Sequence, residues 1–434
     1  MEHRIQAVSW NITRLCNLKC SHCYLPAGLV DAEQFPDGTF GKGELTTEQC
    51  FRVIDEIAEM NPHILLILTG GEPLLRADIF QVSKYASEKG FLVVLGTNGV
   101  LLNDDKVRLM VENGITGAGI SIDSIDPRSH DQFRGLNGAW KATMSGIDAL
   151  KRANLDFLVQ TSVTRWNYDQ ISKIVEYAEG MGAKVFNLYF LVTTGRGKTV
   201  MDISSKQYEE MMSTLFELQA QYRGRMLIQA KCAPHYKRFI YEQATDSPFL
   251  QAYPGGTCPC GIHYCRISPE GEVTPCPYLP ESVGNLKEKS FHDLWNGSQL
   301  FTELRDRSLL KGKCGDCEFR EVCGGCRARA YAQTGDYLEA DPSCEYQPGR
   351  YGDQVVQFDN QTPFAAEPEF DLLWTQDARE RLDRVPSFAK GMVIKSVERY
   401  AKESGSREVT PEMMKAVKGK FFRTGIPSFK PKPN

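Results

Sequence analysis

The sequence has no long hydrophobic run and no strong excess of charge. None of its apolar runs approaches the roughly 20 residues that a membrane-spanning helix needs, so we expect no membrane partner. The net charge is −4, which argues against a nucleic-acid-binding surface and against a polybasic membrane patch. The segment AVSWNI near the N-terminus is short and has no small-residue cleavage site. We therefore expect no signal peptide and a cytoplasmic location.

Cysteine, in contrast, is abundant. Fourteen cysteines occur among 434 residues, although disulfide bonds do not persist in the cytoplasm. This content indicates metal or redox chemistry instead of covalent cross-links. Hydrophobic residues make up 41% of the chain and charged residues 24%, which is typical of a globular protein. The length predicts two or three domains.

Strand-like and helical patterns alternate over the first half of the chain. Six apolar runs between residues 5 and about 220 alternate with amphipathic segments, which predicts a parallel sheet, either open or in a partial (β/α)6 barrel. In both architectures the active site lies at the carboxyl ends of the strands. We predict an α/β fold with a partial barrel at 1–225, a cysteine-rich iron–sulfur extension at 226–350, a linker at 351–369, a small helical domain at 370–424 and a tail at 425–434.

Three cysteines follow the first predicted strand directly. Cys16, Cys20 and Cys23 form a C-x3-C-x2-C loop, and soft thiolates at this spacing suit three irons of a [4Fe–4S] cluster. The fourth iron then stays open for a small molecule that carries an amine and a carboxylate. The alternative is a zinc site completed by His22, but His22 adjoins Cys23 and does not readily join the same tetrahedron.

This loop, with Tyr24 directly after its last cysteine, resembles the signature of the radical S-adenosylmethionine (SAM) superfamily. The later motifs follow in the family's order, so the resemblance covers nearly the whole chain. The TGGEP segment at 69–73 is similar to the motif that binds the SAM amino group, where Glu72 and strand-end carbonyls accept hydrogen bonds and glycines admit the backbone. The resemblance implies a SAM site formed by Tyr24, Gly70, Gly71, Glu72, Pro73, Asn98, Ser121, Asp123, Thr161 and Arg196.

A second group of cysteines lies between residues 258 and 344. Paired C-x2-C units are typical of zinc ribbons, but zinc would leave half of this set without a purpose. The segment ISPEGEVTPCPY and the C-x2-C-x5-C cluster after it resemble the SPASM extension, which carries auxiliary iron–sulfur clusters in radical SAM enzymes. The chain departs from the usual pattern in having two residues, not three, between the last two cysteines of that cluster.

The resemblance implies ligands for one or two auxiliary clusters. One cluster would be held by Cys314, Cys317, Cys323 and Cys344. The other would be held by Cys276, Cys326 and two or more of Cys258, Cys260 and Cys265. A four-cysteine cluster leaves one of these thiols surplus, and the sequence leaves its identity open.

The tetrapyrrole branch of these enzymes provides the nearest resemblance. Residues 323–349, FRGLNGAW and TSVTRWN are similar to enzymes on the routes to haem and haem d1, and residues 370–424 resemble a small helical domain of dark-operative protochlorophyllide reductase. The resemblance implies an enzyme that reductively cleaves SAM and removes or modifies carboxyalkyl side chains of an iron tetrapyrrole. It also implies an electron donor such as flavodoxin or ferredoxin. The pattern slightly favours the deacetylase or haem d1 type over the haem-forming decarboxylase.

Two other functions stay open. A maturase of ribosomal peptides would share the SPASM extension, but it predicts an N-terminal winged helix for which the first strand, beginning by about residue 5, leaves no room. A non-catalytic iron–sulfur electron carrier would not need the SAM ammonium site. For a tetrapyrrole ringed by carboxylates, we expect Arg196, Arg327 and Arg329 as cations at the rim, although a solvated loop position is about equally consistent for Arg196.

Overall fold

The computed structural model describes most of the chain. The ranges described are 3–25, 27–28, 41, 43–200, 202–245, 247, 250, 258–352, 354–357, 370–383 and 387–423. The predicted tail at 425–434 lies outside these ranges, as does most of the predicted linker. Within them, no helix combines the length and the apolar content needed to cross a bilayer.

Ten strands of the described residues form one sheet, in the order β10-β9-β8-β1-β2-β3-β4-β5-β6-β7. Neighbouring strands from β1 to β7 pair in parallel, and β8 is parallel to β1. The strands are β1 Ala7–Asn11, β2 Leu65–Thr69, β3 Leu92–Thr97, β4 Ile115–Ser121, β5 Phe157–Val163, β6 Val185–Phe190, β7 Leu227–Lys231, β8 Tyr264–Ile267, β9 Glu272–Thr274 and β10 Gly284–Asn285.

The six strands predicted from the sequence are therefore confirmed as β1 to β6, and the sheet is open. It also continues past residue 225, because β7 joins β6 at one edge while β8 joins β1 at the other. The strands β9 and β10 then pair in antiparallel fashion beyond β8. The cysteine-rich extension consequently shares a sheet with the N-terminal strands.

Helices connect the strands. The α-helices are α1 Thr47–Met60, α2 Ile79–Glu88, α3 Asp104–Glu112, α4 Pro127–Arg134, α5 Ala139–Arg152, α6 Ile171–Met181, α7 Ser205–Gln221, α8 Tyr236–Gln243, α9 Phe291–Gly297, α10 Gln299–Arg305, α11 Gly312–Gly315, α12 Arg327–Thr334, α13 Gln376–Asp383, α14 Ser387–Glu403 and α15 Pro411–Arg423. Short 3-10 helices lie at Pro73–Leu75, Tyr168–Gln170, Gly195–Thr199 and Arg307–Leu309.

The first helix illustrates why these elements form. A capping box between Thr46 and Gln49 satisfies its first backbone N–H groups. Cys50, Val53, Ile54 and Ile57 follow at helical spacing and are all buried. Each fully buried side chain of this kind contributes about 1.5–3 kcal/mol, and all four belong to the same core cluster as the apolar residues of the sheet.

Side chains of the parallel strands alternate between two environments. In β5, Val159, Thr161 and Val163 are fully buried, while Leu158, Gln160 and Ser162 are half-buried and line a cavity. This alternation follows from the two-residue period of a strand. One face of the sheet thus builds the core, and the other faces an internal space.

The C-terminal residues form a small unit with its own hydrophobic cluster. Strands β11 Leu373–Trp374 and β12 Glu408–Val409 pair in parallel, and Trp374 packs with buried side chains of α13, α14 and α15. The indole N–H of Trp374 donates a 2.9 Å hydrogen bond to the buried Glu398 carboxylate. The helical character predicted for this region is observed.

Candidate active site

A cavity of about 530 Å³ lies against the inner face of the sheet and the loops at the carboxyl ends of its strands. Its volume falls within the range of small-molecule and cofactor sites. Cys16, Cys20 and Cys23 contribute to its wall. A second set of thiols also lines it, namely Cys258, Cys260, Cys276 and Cys326. The fold therefore brings two separate cysteine groups of the sequence to one cavity.

The loop that carries the first three cysteines, residues 16–23, is held against the two glycines that follow β2. The amide of Gly71 donates to the carbonyl of Thr13 at 2.8 Å, and the amide of Glu72 donates to the carbonyl of Leu15 at 2.6 Å. A Cβ added at Gly71 would lie 2.0 Å from the Leu15 carbonyl oxygen. Gly70 has φ +142°, and its added Cβ would lie 2.6 Å from the Thr13 carbonyl oxygen. Both glycines are thus required by a close backbone approach.

A second brace of the cysteine loop comes from the segment after β6. Arg196 donates from Nε to the Cys20 carbonyl at 2.9 Å and from a terminal guanidinium nitrogen to the Ala27 carbonyl at 3.1 Å. Its backbone amide donates to the Cys23 carbonyl at 2.9 Å. Arg196 therefore braces the cysteine loop, a contact that neither of its two expected roles included.

The three thiols are largely shielded from solvent: Cys16 is buried, and Cys20 and Cys23 are half-buried. Burial raises the pKa of Cys16 to about 12, so the protein alone does not favour its thiolate and an electropositive group such as iron would have to stabilise it. The guanidinium of Arg134 lies 3.7 Å from the Cys20 sulfur. The His22 ring stacks on Phe133, with ring centroids 4.7 Å apart, and burial lowers its pKa to about 4. His22 packs as an aromatic ring, which does not favour the zinc alternative.

Glu72 lies behind the cavity wall. It is fully buried, and its Oε1 accepts hydrogen bonds from the Thr97 hydroxyl at 2.7 Å and the Leu74 amide at 3.3 Å. Its Oε2 accepts from the Asn98 amide at 2.9 Å. Burial raises the pKa of Glu72 to about 7. Glu72 does not line the cavity, unlike Gly70, Gly71 and Asn98. Its carboxylate supports the loop after β3. Pro73, at the start of a 3-10 helix, is also buried away from the cavity.

Of the remaining candidate residues, Tyr24, Asn98, Ser121 and Asp123 line the cavity, and Thr161 does not. The Tyr24 hydroxyl accepts a 2.8 Å hydrogen bond from the Asn11 side chain. Thr161 is fully buried on the opposite face of β5, where its hydroxyl donates to the Ile122 carbonyl at 2.6 Å. The side chain of Thr161 therefore faces away from the cavity, and the next residue, Ser162, lines it.

Asp123 already has a cationic partner. Although burial raises its pKa, the paired guanidinium of Arg134 outweighs that effect, and the pKa of Asp123 lies below its usual range. Its other oxygen accepts from the Ser162 amide at 2.9 Å. Arg134 itself lines the cavity, and sequence reasoning missed it. This ion pair leaves Asp123 ionised and oriented.

Cys265 differs from the other cysteines of this group in its position on β8. Cys265 is fully buried and is absent from the cavity wall, whereas its neighbour Tyr264 lines the cavity. The Cys260 side chain is within hydrogen-bond distance of Cys258 and Cys276. Burial, with the nearby sulfurs of Cys258 and Cys276, raises the pKa of Cys326, so these four thiols lie close together. Cys258, Cys260, Cys276 and Cys326 thus converge at the cavity wall, and Cys232, at the end of β7, lines the same cavity.

The other four cysteines surround a smaller cavity. Cys314, Cys317, Cys323 and Cys344 line it together with Arg238, Lys313 and Arg320. His235 also lines it, and neither ring nitrogen of this buried histidine has a hydrogen-bond partner. Four thiols, nearby cations and an unsatisfied ring fit an anionic iron–sulfur cluster.

Two of the three arginines expected at the rim of a tetrapyrrole site, Arg327 and Arg329, form contacts elsewhere. Arg327 is buried and donates to the backbone carbonyls of Tyr337 and Glu339 at 2.9 and 2.7 Å. Arg329 is buried and forms an ion pair with Asp341 at 3.0 Å. Among the described residues of the cavity wall, the lysine and arginine side chains are those of Arg134 and Lys231.

Comparison with protein families gives three matches along the chain. Residues 10–178 match the Radical SAM superfamily, residues 258–326 match SPASM, an iron–sulfur cluster-binding domain, and residues 374–418 match the proto-chlorophyllide reductase 57 kD subunit. The order and positions agree with the three regions recognised from the motifs.

Among curated proteins, the chain is 39% identical to an AdoMet-dependent heme synthase of Methanosarcina barkeri, over 81% of this chain and 99% of the relative. It is 36% identical to an AdoMet-dependent heme synthase of Nitratidesulfovibrio vulgaris, over 79% of this chain and 93% of the relative. A pre-heme d1 synthase of Dinoroseobacter shibae is 33% identical, over 78% of this chain and 85% of the relative.

Solved structures show the same fold. SuiB of Streptococcus suis bound to S-adenosylmethionine superposes with a TM-score of 0.63 at 17% identity, covering 79% of this chain and 78% of that one. The enzyme anSMEcpe with bound AdoMet superposes with a TM-score of 0.60 at 20% identity, covering 79% and 94%. At these identities the likeness concerns the fold alone.

Proposed function

Because the chain belongs to the radical SAM superfamily and carries an auxiliary iron–sulfur region, we propose that it is an enzyme of haem biosynthesis that removes or modifies carboxyalkyl side chains of an iron tetrapyrrole. The observation that carries this proposal is the 39% identity to an AdoMet-dependent heme synthase over 99% of that relative. A cavity bounded by two cysteine groups supports it from the structure.

The order of the identities bears on the type of reaction. The relatives named AdoMet-dependent heme synthase are more similar to this chain, at 39% and 36%, than the pre-heme d1 synthase at 33%. This order runs against the sequence expectation, which favoured the deacetylase or haem d1 type. We therefore assign the chain to the haem-forming type.

Cys16, Cys20 and Cys23 would hold the cluster that binds SAM. When bound, this cluster and SAM supply the 5′-deoxyadenosyl radical that abstracts hydrogen from the substrate. The protein positions the reactants: the backbone of Gly70 and Gly71 lies open to the cavity for an amino group, and the other wall residues near SAM are Tyr24, Asn98, Ser121, Asp123 and Ser162. Glu72 fixes the Asn98 amide, and Arg196 fixes the cysteine loop.

The two converging thiol sets would hold the auxiliary clusters. One is Cys258, Cys260, Cys276 and Cys326, and the other is Cys314, Cys317, Cys323 and Cys344. Cys265 is then the surplus thiol and acts as a small core residue. A donor such as flavodoxin or ferredoxin would supply the reducing electron.

The space between the SAM cysteines and the first auxiliary set suits a flat aromatic substrate. Tyr24, Tyr189, Tyr264 and Tyr278 line it together with aliphatic side chains. Such a wall excludes water, which protects a radical from side reactions. It also provides the apolar contacts that a tetrapyrrole ring needs.

The test is turnover by the reconstituted full-length enzyme under anaerobic conditions. Supplied with SAM, dithionite and an iron porphyrin that carries propionates, it should change the absorbance of the porphyrin on binding and give a product lighter by the mass of a lost side-chain fragment. Absence of any spectral change, together with crosslinking of a candidate precursor peptide, would favour the peptide maturase. Iron–sulfur redox activity without SAM cleavage under any condition would favour the electron carrier.

A further inference from the structure

Lys231 ends β7 on the wall of the large cavity. It is in register with Tyr189 of β6, and two positions earlier Gln229 is in register with Asn187. Paired residues of parallel strands project to the same face of a sheet, and all four of these residues line the cavity. Lys231 and Tyr189 therefore form a polar row above the row of the two amides, at the carboxyl end of the strands.

The backbone directly after Lys231 is held in an uncommon conformation. Cys232 has φ +59°, in the left-handed region that non-glycine residues rarely adopt. Its carbonyl accepts a 2.9 Å hydrogen bond from Arg329, whose guanidinium also pairs with buried Asp341 at 3.0 Å. Such a conformation persists only where the surroundings impose it, and it occurs most often at functional sites. Lys231 thus sits on a fixed strand end.

Lys231 lies on the same cavity wall as the first auxiliary thiol set, Cys258, Cys260, Cys276 and Cys326. Cys232 lines the same cavity. Burial lowers the pKa of Lys231 to about 8, because a desolvated ammonium is disfavoured. An anion brought into the cavity by a ligand would stabilise this ammonium.

The other cation of the described wall lies at the SAM end of the cavity. Arg134 pairs with Asp123 and contacts the Cys20 sulfur, beside the SAM-binding cysteines. Lys231 lies instead beside the thiols of the extension. A tetrapyrrole is an apolar disc with carboxylates at its edge, so a half-buried ammonium in a wall that also carries aromatic side chains matches one of those carboxylates in charge and in setting.

We propose that Lys231 binds a side-chain carboxylate of the tetrapyrrole and so orients the disc in the cavity, with the Tyr189 hydroxyl as its neighbour on β6. This assignment rests on the proposed function, since it names a contact for that substrate. It makes Lys231 a residue of substrate binding, separate from the residues that hold SAM.

The experiment compares two ligands on three variants of the reconstituted full-length protein. Lys231→Met removes the charge at similar side-chain length, Lys231→Arg keeps the charge, and Lys206→Met changes a lysine whose side chain is 85% exposed as the matched control. Each protein is titrated, without reductant, with an iron porphyrin bearing free propionates and with its methyl ester. The dissociation constants come from the absorbance of the porphyrin.

Wild-type protein and Lys206→Met should bind the free acid more tightly than the ester. Lys231→Met should lose about tenfold or more in affinity for the acid, as expected for a charge-assisted hydrogen bond, and should bind the ester as wild type does. Lys231→Arg should keep a preference for the acid. Iron content, measured on every preparation, shows whether the clusters are intact.

An unchanged acid-to-ester ratio in Lys231→Met would overturn the assignment of Lys231 while leaving the proposed function standing. Failure of wild-type protein to bind either porphyrin would overturn both. If Lys231→Met does not retain its iron, Lys231→Arg decides the matter: loss of the acid preference in a fully loaded arginine variant contradicts a charge-based contact, and its retention supports one.

Discussion

Adding a single methyl group at Gly71 should disrupt the SAM-binding cluster site and leave the auxiliary cluster sites intact. In Gly71→Ala the new Cβ would lie 2.0 Å from the Leu15 carbonyl oxygen, 2.5 Å from its carbon and 2.8 Å from the Arg14 carbonyl oxygen. All three are backbone atoms, so no side-chain rotation relieves the contact, and the chain around Leu15 must move by about 1 Å or more to restore van der Waals distances. Cys16 follows directly and would move with it.

The magnitude follows from the contacts that this movement breaks. Overpacking costs about 1–3 kcal/mol, and the two backbone hydrogen bonds from Gly71 and Glu72 contribute about 0.5–1.5 kcal/mol each. The local destabilisation is therefore roughly 2–6 kcal/mol, which is enough to empty the SAM-binding cluster site. The auxiliary thiols lie on separate segments of the chain, at 258–276 and 314–344, so they should keep their iron.

The assay is iron and sulfide content after anaerobic reconstitution, together with SAM cleavage by dithionite-reduced protein. Gly71→Ala should lose the iron of one cluster and all cleavage. The matched control is Gly180→Ala, since an added Cβ at Gly180 in α6 meets nothing within 4 Å and alanine is the better helix former. Full iron content with normal SAM cleavage in Gly71→Ala would refute the reasoning that this close approach positions the cysteine loop.

Three further changes have separate readouts. Cys265→Ala should leave the iron content unchanged, whereas Cys258→Ala should lower it; equal losses would contradict the choice of the surplus thiol. Arg196→Met should weaken retention of the SAM-site iron, because two carbonyls lose their donor; weaker SAM binding with full iron would instead indicate a ligand contact. Burial raises the folded-state pKa of Glu72 from its ordinary 4.5 to about 7, so its contribution to stability should be present below pH 4.5 and be lost, by about 3 kcal/mol at most, as the pH rises through 7. Glu72→Gln should show no such loss in urea denaturation, and identical pH profiles would contradict it.

The sequence alone predicted those parts of the structure that depend on the periodicity or spacing of residues within a short segment. The alternation of apolar runs with amphipathic segments predicted β1 to β6, since a strand and a helix have distinct periods. The cysteine spacings predicted the loop at 16–23 and the set formed by Cys314, Cys317, Cys323 and Cys344. Lys231 was missed although LIQAK follows α7 as a seventh strand-like run, a continuation of the pattern that would have placed it at a strand end.

The sequence did not predict the contacts that depend on the exact register of a strand or on an acceptor distant in the chain. Thr161 and Ser162 are both small and polar, and only the register of β5 assigns the second to the cavity. Arg196 and Arg327 bind backbone carbonyls, and for Arg196 the acceptor is the carbonyl of Cys20, which lies far away in the sequence. Every residue carries a backbone carbonyl, so the identity of a residue does not reveal that it accepts a hydrogen bond from an arginine. For this reason these arginines resembled ligand-binding residues. Glu72 lies in the predicted loop, and its carboxylate accepts a hydrogen bond from the Asn98 amide after β3, a contact that the sequence did not predict.

We propose that the cluster held by the cysteine loop cleaves SAM to the 5′-deoxyadenosyl radical, and that this protein directs the radical at a tetrapyrrole. The most direct test measures 5′-deoxyadenosine and modified porphyrin together, in wild-type protein and in a variant with Cys16, Cys20 and Cys23 all replaced by alanine. We predict that wild-type protein forms both products in step, and that the variant forms neither while keeping the iron of its auxiliary clusters. Unchanged iron content or continued SAM cleavage in the variant, or 5′-deoxyadenosine formation by wild type with no change in any iron tetrapyrrole, would contradict the account.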